Sequence, residues 1–166
     1  VERAVRESGR PWTILRPGWF MQVFTDPRFM LDDLVRDGRL PLVSGGQAVS
    51  WIDARDIAAV ASCSLLDVGH DGQVYELTGP EALGPGETAA VLGSALGRPV
   101  RHVELSMDEA LEGVEGFLRR NDEGAYDRIR RGMFGVVTDT VEQVTGHPAR
   151  TLRQFAAEVF APLAVG

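Results

Sequence analysis

The stretch WTILRPGWFMQVF, residues 12–24, is the most informative part of this sequence for the fold. Its first four residues are bulky and mostly apolar, which is typical of a buried β-strand, and Pro17 ends that strand because proline cannot donate to a β-ladder. Large side chains then follow in a loop, at Trp19, Phe20, Met21 and Phe24. We therefore expect a buried strand whose carboxyl end opens into an aromatic loop.

Composition narrows the class of protein. The chain has 166 residues, of which 44% are hydrophobic and 25% charged, and this length suits one globular domain. A net charge of −7 argues against nucleic-acid binding, which depends on clustered cations. No apolar run approaches the roughly 20 residues of a membrane span, and the first residues do not resemble a signal peptide. We expect a cytoplasmic protein that binds neither nucleic acid nor membrane.

The periodicity of apolar residues predicts alternating helices and strands. Helices are expected over residues 1–8, 29–37, 57–66, 87–96, 107–119, 126–131, 138–145 and 151–160. Strands are expected over residues 12–15, 49–52, 74–78 and 99–105. Asp56 is interpreted as the N-cap of the third helix, because its carboxylate can accept hydrogen bonds from first-turn amides.

One stretch, GPGETA at residues 84–89, matches the G-x-G-x-x-A fingerprint of dinucleotide-binding turns, and Glu104 follows about 20 residues later. In that fingerprint the first glycine follows the strand directly, whereas residues 80–83 intervene here. The strand that carries Glu104 also mixes charged residues into what should be an apolar run. We therefore interpret Gly84 as a helix cap with Pro85 at the first helical position.

Five segments are informative when taken together. They are PWTILRPGWFMQ (11–22), WIDARDIAAVA (51–61), GQVYELTGPEAL (72–83), LGRPVRHVELS (96–106) and TDTVEQVTGHPARTLRQFAAE (138–158). In order and spacing they resemble the C-terminal half of an NmrA-like protein, of the atypical short-chain dehydrogenase/reductase group. The resemblance implies an α/β fold in one incomplete domain. Residues of about 1–80 would complete a Rossmann-like parallel sheet, with strand 12–15 beside strand 74–78, and about 81–166 would form a smaller, mostly helical substrate-side part.

The resemblance also implies NAD(P), but the family's N-terminal half, with its glycine-rich turn for the pyrophosphate, has no counterpart in this chain. We expect a partner chain to supply that Rossmann half, unless the sequence is a fragment of a longer protein. All 17 basic residues are arginine, so the Tyr-x-x-x-Lys pair of classical short-chain dehydrogenases is excluded for this chain. Unpaired sheet edges lead us to expect that the chain is not stable as a monomer.

The loop after Pro17 is the predicted binding site, because open α/β sheets bind ligands at the carboxyl ends of their strands. The residues expected to bind a small organic substrate are Trp19, Phe20, Met21, Gln22, Phe24 and Arg55. The residues expected to face a cofactor, if a partner brings one, are Arg16, Pro17 and Gly18. Packing against the C-terminal helices is the alternative for each bulky side chain. A buried amide without partners costs about 1–3 kcal/mol, so we expect Gln22 to bind ligand. Gln22→Leu is then expected to weaken ligand binding or turnover and to leave thermal stability unchanged or slightly raised.

Asp53 is the candidate catalytic acid or base, and the alternative is that Asp53 and Arg55 form ion pairs, for example with Arg16. The three histidines are too dispersed to form a metal site.

Three functions are consistent with this sequence. The first is the substrate-binding half of an NAD(P)H-dependent reductase completed by a partner. The second is a subunit of a cofactor-independent biosynthetic enzyme that uses the same cleft. The third is a non-catalytic regulatory or stabilising subunit, because fold does not determine function.

Overall fold

A computed structural model describes residues 1–160 of the chain. Its helices are α1 (Glu2–Arg6), α2 (Ala54–Leu66), α3 (Pro85–Leu96), α4 (Met107–Ala110), α5 (Gly116–Arg130), α6 (Thr140–Thr145) and α7 (Leu152–Phe160). Its strands are β1 (Thr13–Pro17), β2 (Arg39–Leu42), β3 (Gln73–Leu77) and β4 (Arg101–Glu104). Short helical turns are formed by Met21–Phe24, Asp33–Asp37 and Met133–Gly135. The fold is mixed α/β with parallel strands.

The predicted pairing of the first and third strands is confirmed. β1 and β3 are parallel, with Ile14 opposite Val74 and Pro17 opposite Leu77. The amide of Gly18 extends the ladder by one further hydrogen bond, to the carbonyl of Leu77, at 2.8 Å. Both strands therefore end at the same edge of the sheet, where the chain turns into the aromatic loop.

β2 and β4 form a second parallel pair, of which the sequence predicted only β4. The sequence indicated a strand near β4 but gave no partner for it, because the sequence RLPL of β2 is short and contains Pro41. Within residues 1–160 this sheet has two strands, so proline at an edge position is tolerated. The strand that the sequence missed is therefore β2, and β4 lies within the predicted strand over residues 99–105.

Three other predicted elements differ from the structure. Residues 29–37 form turns and one wide helical turn rather than a regular helix. Residues 49–52 make only isolated β-bridges, Val49 with Leu83 and Ile52 with Phe20. The helix predicted over 107–119 stops at Ala110, and α5 begins after the glycine-containing segment 111–115.

Two separate hydrophobic cores support the fold. The larger packs the loop after β1 against α3 and α7, with Phe24, Trp51, Leu92 and Phe155 among its members. The smaller lies under β1 and β3 and contains Ile52, Val60, Leu77 and Val141. The aromatic loop therefore belongs mainly to the larger core.

Among residues 1–160, no helix combines the length and the apolar character that crossing a membrane requires. The same described residues contain no group of three or more histidine, cysteine, aspartate or glutamate side chains placed to hold a metal ion.

Candidate functional site

A cleft opens where β1 ends, and it has two lobes. The outer lobe has a volume of about 460 Å³ and the inner lobe about 660 Å³. Both lobes are lined by Pro17, Gly18, Arg128 and Phe134, so these four residues mark the junction. The cleft lies at the carboxyl end of the parallel strands, where the sequence predicted a binding site.

Aromatic side chains form the wall near this junction. The ring of Trp19 lies 5.9 Å from that of Phe134 and 5.8 Å from that of Tyr126, measured between centroids. Backbone hydrogen bonds hold the loop in place, because the amide of Ile52 donates to the carbonyl of Trp19 and the amide of Met21 donates to the carbonyl of Ile52. The wall is therefore fixed by backbone pairing as well as by ring contacts.

The predicted substrate-binding residues separate into two groups. Trp19, Phe20 and Gln22 line the outer lobe, and Phe20 is 40% exposed. Met21 and Phe24 are fully buried in the larger core, so the structure places them behind the wall and not on the cleft. The short helical turn explains the division, because consecutive side chains in a turn point in different directions.

Asp53 is a structural residue in this fold. Its side chain is fully buried and caps the N-terminus of α2 by accepting a hydrogen bond from the Arg55 amide at 2.8 Å. Although burial alone would raise the pKa of Asp53, hydrogen bonds from Arg55 and Gln22 lower it below its usual value. A buried, ionised and fully bonded carboxylate is unavailable for proton transfer, which argues against the catalytic role expected of it.

Asp56 is not the helix cap that the sequence suggested. It is buried one turn inside α2, where its carboxylate accepts hydrogen bonds from the backbone amide and the guanidinium of Arg150. The predicted start of α2 was therefore too late by one turn.

The predicted arginines are also engaged elsewhere. Arg55 contacts Asp53 and the Glu158 carboxylate, the latter at 2.6 Å, and lines neither lobe. Arg16 does line the inner lobe, but it pairs with Glu2 at 2.6 Å and with Glu76 at 2.8 Å, which raise its pKa. The expected pairing of Arg16 with the segment around Asp53 does not occur.

Gln22 holds the start of α2. Its Nε2 donates to the Asp53 carboxylate at 3.2 Å, and its Oε1 accepts from the Ala54 amide at 3.1 Å. We now expect Gln22→Leu to lower the free energy of unfolding by about 1–3 kcal/mol, because it leaves a buried carboxylate and a helix amide short of partners. Chemical denaturation measures this loss. Gln47→Leu, which removes an amide remote from α2, is the control, and an unchanged stability of Gln22→Leu would contradict the assignment.

The GPGETA stretch is a helix start, as predicted. Gly84 is the N-cap of α3, Pro85 is its first residue, and the Glu87 carboxylate accepts from the Gly84 amide at 2.8 Å. Glu104 accepts hydrogen bonds from Ser44 and Gly45. These contacts are those of a capped helix start and of a hydrogen-bonded strand end.

The sequence did not indicate the contribution of α5 to the cleft. Asn121, Ala125 and Arg128 line the outer lobe together with Asp122. Their spacing of four and three residues places them on one helix face. That spacing can be read from the sequence, but a polar helix face usually points to solvent. Only the tertiary packing shows that this face of α5 lines a cleft.

Comparison with known proteins gives sequence relatives and structural neighbours, although no protein-family model matches the chain. The chain is 41% identical over 161 residues to the NAD(P)H azoreductase of Xenophilus azovorans, a match that covers 93% of this chain and 55% of the azoreductase. It is 37% identical over 173 residues to the (4-alkanoyl-5-oxo-2,5-dihydrofuran-3-yl)methyl phosphate reductase of Streptomyces griseus, covering 97% of this chain and 58% of that reductase. The chain thus spans little more than half the length of these relatives.

Solved structures give the same result for the fold. An NADPH-dependent quinone oxidoreductase of Escherichia coli, solved with NADPH, superposes with a TM-score of 0.76 at 28% identity, covering 96% of this chain and 57% of the oxidoreductase. NmrA, a negative transcriptional regulator solved with NAD, superposes with a TM-score of 0.66 at 22% identity, covering 98% of this chain and 56% of NmrA. By sequence this chain is similar to part of two NAD(P)H-linked or phosphate-substrate reductases, and its fold is that of the corresponding part of the quinone oxidoreductase and of NmrA.

Proposed function

We propose that this chain forms the substrate-binding half of an NAD(P)H-dependent oxidoreductase that reduces a planar, conjugated small molecule. The observation that carries the proposal is the aromatic cleft at the carboxyl end of β1, with Trp19, Phe20 and Phe134 in its lining. Flat aromatic walls favour flat ligands, since stacked or edge-to-face ring contacts add to the burial of apolar area. The 41% identity to an azoreductase supports the same class of acceptor.

The inner lobe is where a nicotinamide ring would face the substrate. Pro17, Gly18, Arg128 and Phe134 form its junction with the outer lobe. The cofactor supplies hydride, and this chain would orient the acceptor and limit its access to water. Arg16 is neutralised by two carboxylates, so it is poorly suited to bind a phosphate.

The test is reduction of an azo dye and of a quinone with NADPH and with NADH, using the chain purified with any protein that accompanies it. We expect nucleotide-dependent reduction of at least one acceptor. Nucleotide binding without turnover would favour the regulatory function, and failure to bind any nucleotide in a folded assembly would contradict the proposal.

Phe20→Ala is the matching substitution for the acceptor side, because Phe20 is partly exposed on the outer lobe. We expect it to raise the KM for the acceptor about fivefold, equivalent to about 1 kcal/mol of lost apolar contact, and to leave the KM for nucleotide unchanged. Phe117→Ala removes an exposed aromatic side chain that lies outside both lobes, and it serves as the control. Equal KM values in the two variants would place the acceptor elsewhere.

The nucleotide-binding half, in this proposal, belongs to a partner chain. Within residues 1–160, β1 pairs only with β3, so its other edge has free backbone groups. A hollow of about 560 Å³ lies beside it, lined by Trp12, Leu15 and Ala61, and Leu65 and Val68 at its rim are 84% and 97% exposed. A parallel strand followed by a helix would satisfy the edge and cover this apolar surface.

The expected result is that the purified chain alone is not a folded monomer at micromolar concentration and gains a cooperative melt when its partner is added. Analytical ultracentrifugation and circular dichroism measure the two properties. A cooperative 18 kDa monomer would contradict the need for a partner while leaving the proposed reductase chemistry to be tested separately.

A further inference from the structure

The cleft contains one cation whose charge is not neutralised by a neighbouring carboxylate. Arg128 lines both lobes, and no ion pair involving it occurs among residues 1–160. The other guanidinium that lines a lobe, that of Arg16, is paired with Glu2 and Glu76. The charge of Arg128 is therefore available to a ligand at the junction of the lobes.

The side chain of Arg128 is suited to an anion. It is exposed at the edge of a cleft that the aromatic rings of Trp19 and Phe134 also line. A hydrogen bond from a charged donor to an anion is stronger than one between neutral groups. Arginine also presents a planar fork of donors that fits carboxylate, sulfonate or phosphate oxygens.

Acidic residues in the outer lobe affect where an anion can bind. Asp26 is paired with Arg28 at 2.6 Å and is neutralised by it. Asp122 lies six residues before Arg128 on α5, and its charge contributes, after burial, to the raised pKa of Tyr126. An anionic group is therefore favoured at the junction, beside Arg128, and disfavoured beside Asp122 in the middle of α5, so the two ends of the outer lobe differ in charge.

We propose that Arg128 is a specificity residue, which selects conjugated substrates that carry an anionic group at the end that lies between the lobes. This inference rests on the proposed function for its site, but it concerns binding and does not require turnover. The same chemistry is present in the phosphates of a nicotinamide dinucleotide, so the experiment must separate substrate from cofactor.

The probes are a matched pair of azo dyes, azobenzene-4-sulfonate and its uncharged sulfonamide, and their binding is measured by quenching of tryptophan fluorescence in the assembled protein. We expect Arg128→Gln to weaken sulfonate binding about tenfold, the loss of roughly one charge-assisted hydrogen bond, and to leave sulfonamide binding unchanged. Arg128→Lys should retain part of the preference. Arg120→Gln, which removes an exposed charge from α5 outside the cleft, should change neither dye.

Three results would overturn the inference. Equal weakening of both dyes by Arg128→Gln would mean that Arg128 only shapes the cleft. An equal effect of Arg120→Gln would mean that the dye responds to overall charge. Weaker binding of NADPH, measured in parallel, with no change in either dye would assign Arg128 to the cofactor. Because all these readouts are binding constants, a protein without reductase activity could still confirm the anion preference.

Discussion

Gly79→Ala is expected to destabilise the fold by at least about 3 kcal/mol, at the upper end of the range for overpacking a core. A Cβ at Gly79 would lie 1.9 Å from the carbonyl oxygen and 2.9 Å from the carbonyl carbon of Trp51. The obstacle is backbone, so no side-chain rotation relieves it. The strand end after β3 would have to move away from the segment that carries Trp51 and Ile52, and that movement would disturb both cores.

The matched control is Gly86→Ala in the first turn of α3, where no atom lies within 4 Å of the added Cβ. Alanine is the better helix former, so this variant should be as stable as the native chain or slightly more stable. Denaturation midpoints of the two variants, measured in the same assembled state, give the comparison. A Gly79→Ala variant with native stability would show that the backbone at this point separates easily.

Asp53→Ala has the second largest expected effect, a loss of about 2–3 kcal/mol of unfolding free energy. The substitution removes the N-cap of α2 and leaves the Gln22 amide and the Arg55 backbone amide without their acceptor. Arg55 keeps the Glu158 carboxylate as a partner, so the guanidinium is not left unpaired. Glu158→Gln removes the exposed partner of the same arginine and should cost less than about 1 kcal/mol.

The pH dependence of this loss has a definite sign. The pKa of Asp53 is lower in the folded chain than the value of about 3.9 expected when it is unfolded. The ionised Asp53 carboxylate therefore contributes its full stabilisation at pH 7. This contribution is lost as the pH falls below about 4 and through the folded-state pKa of Asp53. The stability difference between native and Asp53→Ala chains should narrow over that range, and a difference independent of pH would contradict the assigned hydrogen bonds.

Local sequence signals were sufficient for part of the fold. The apolar run before Pro17 identified β1, and Gly84 followed by Pro85 identified the start of α3, because each depends on a few neighbouring residues. The start of α2 was misplaced because Asp53 and Asp56 are equally good caps by type. What selects Asp53 is Gln22, a residue 31 positions earlier that no local rule connects to it.

The cleft was predicted only on the side that the aromatic loop provides. Periodicity could not show which bulky residue of that loop points inward, so Met21 was assigned to the cleft although it is buried. The opposite side comes from Asn121, Asp122 and Arg128, whose helix has the composition of a solvent-exposed one. Long-range packing, rather than any residue type, decides that α5 borders the site.

The division of the core between Trp51 and Ile52 has a consequence for folding cooperativity. These neighbours belong to different clusters, Trp51 to the larger and Ile52 to the smaller. Most buried side chains of the described chain belong to the first cluster, so hydrogen exchange should be slowest around Trp51 and faster in β1 and β3, which can open as a separate foldon. The dipeptide is then one of the points at which the chain joins the two foldons, and any ligand or protein that stabilises the end of β1 would slow exchange across both.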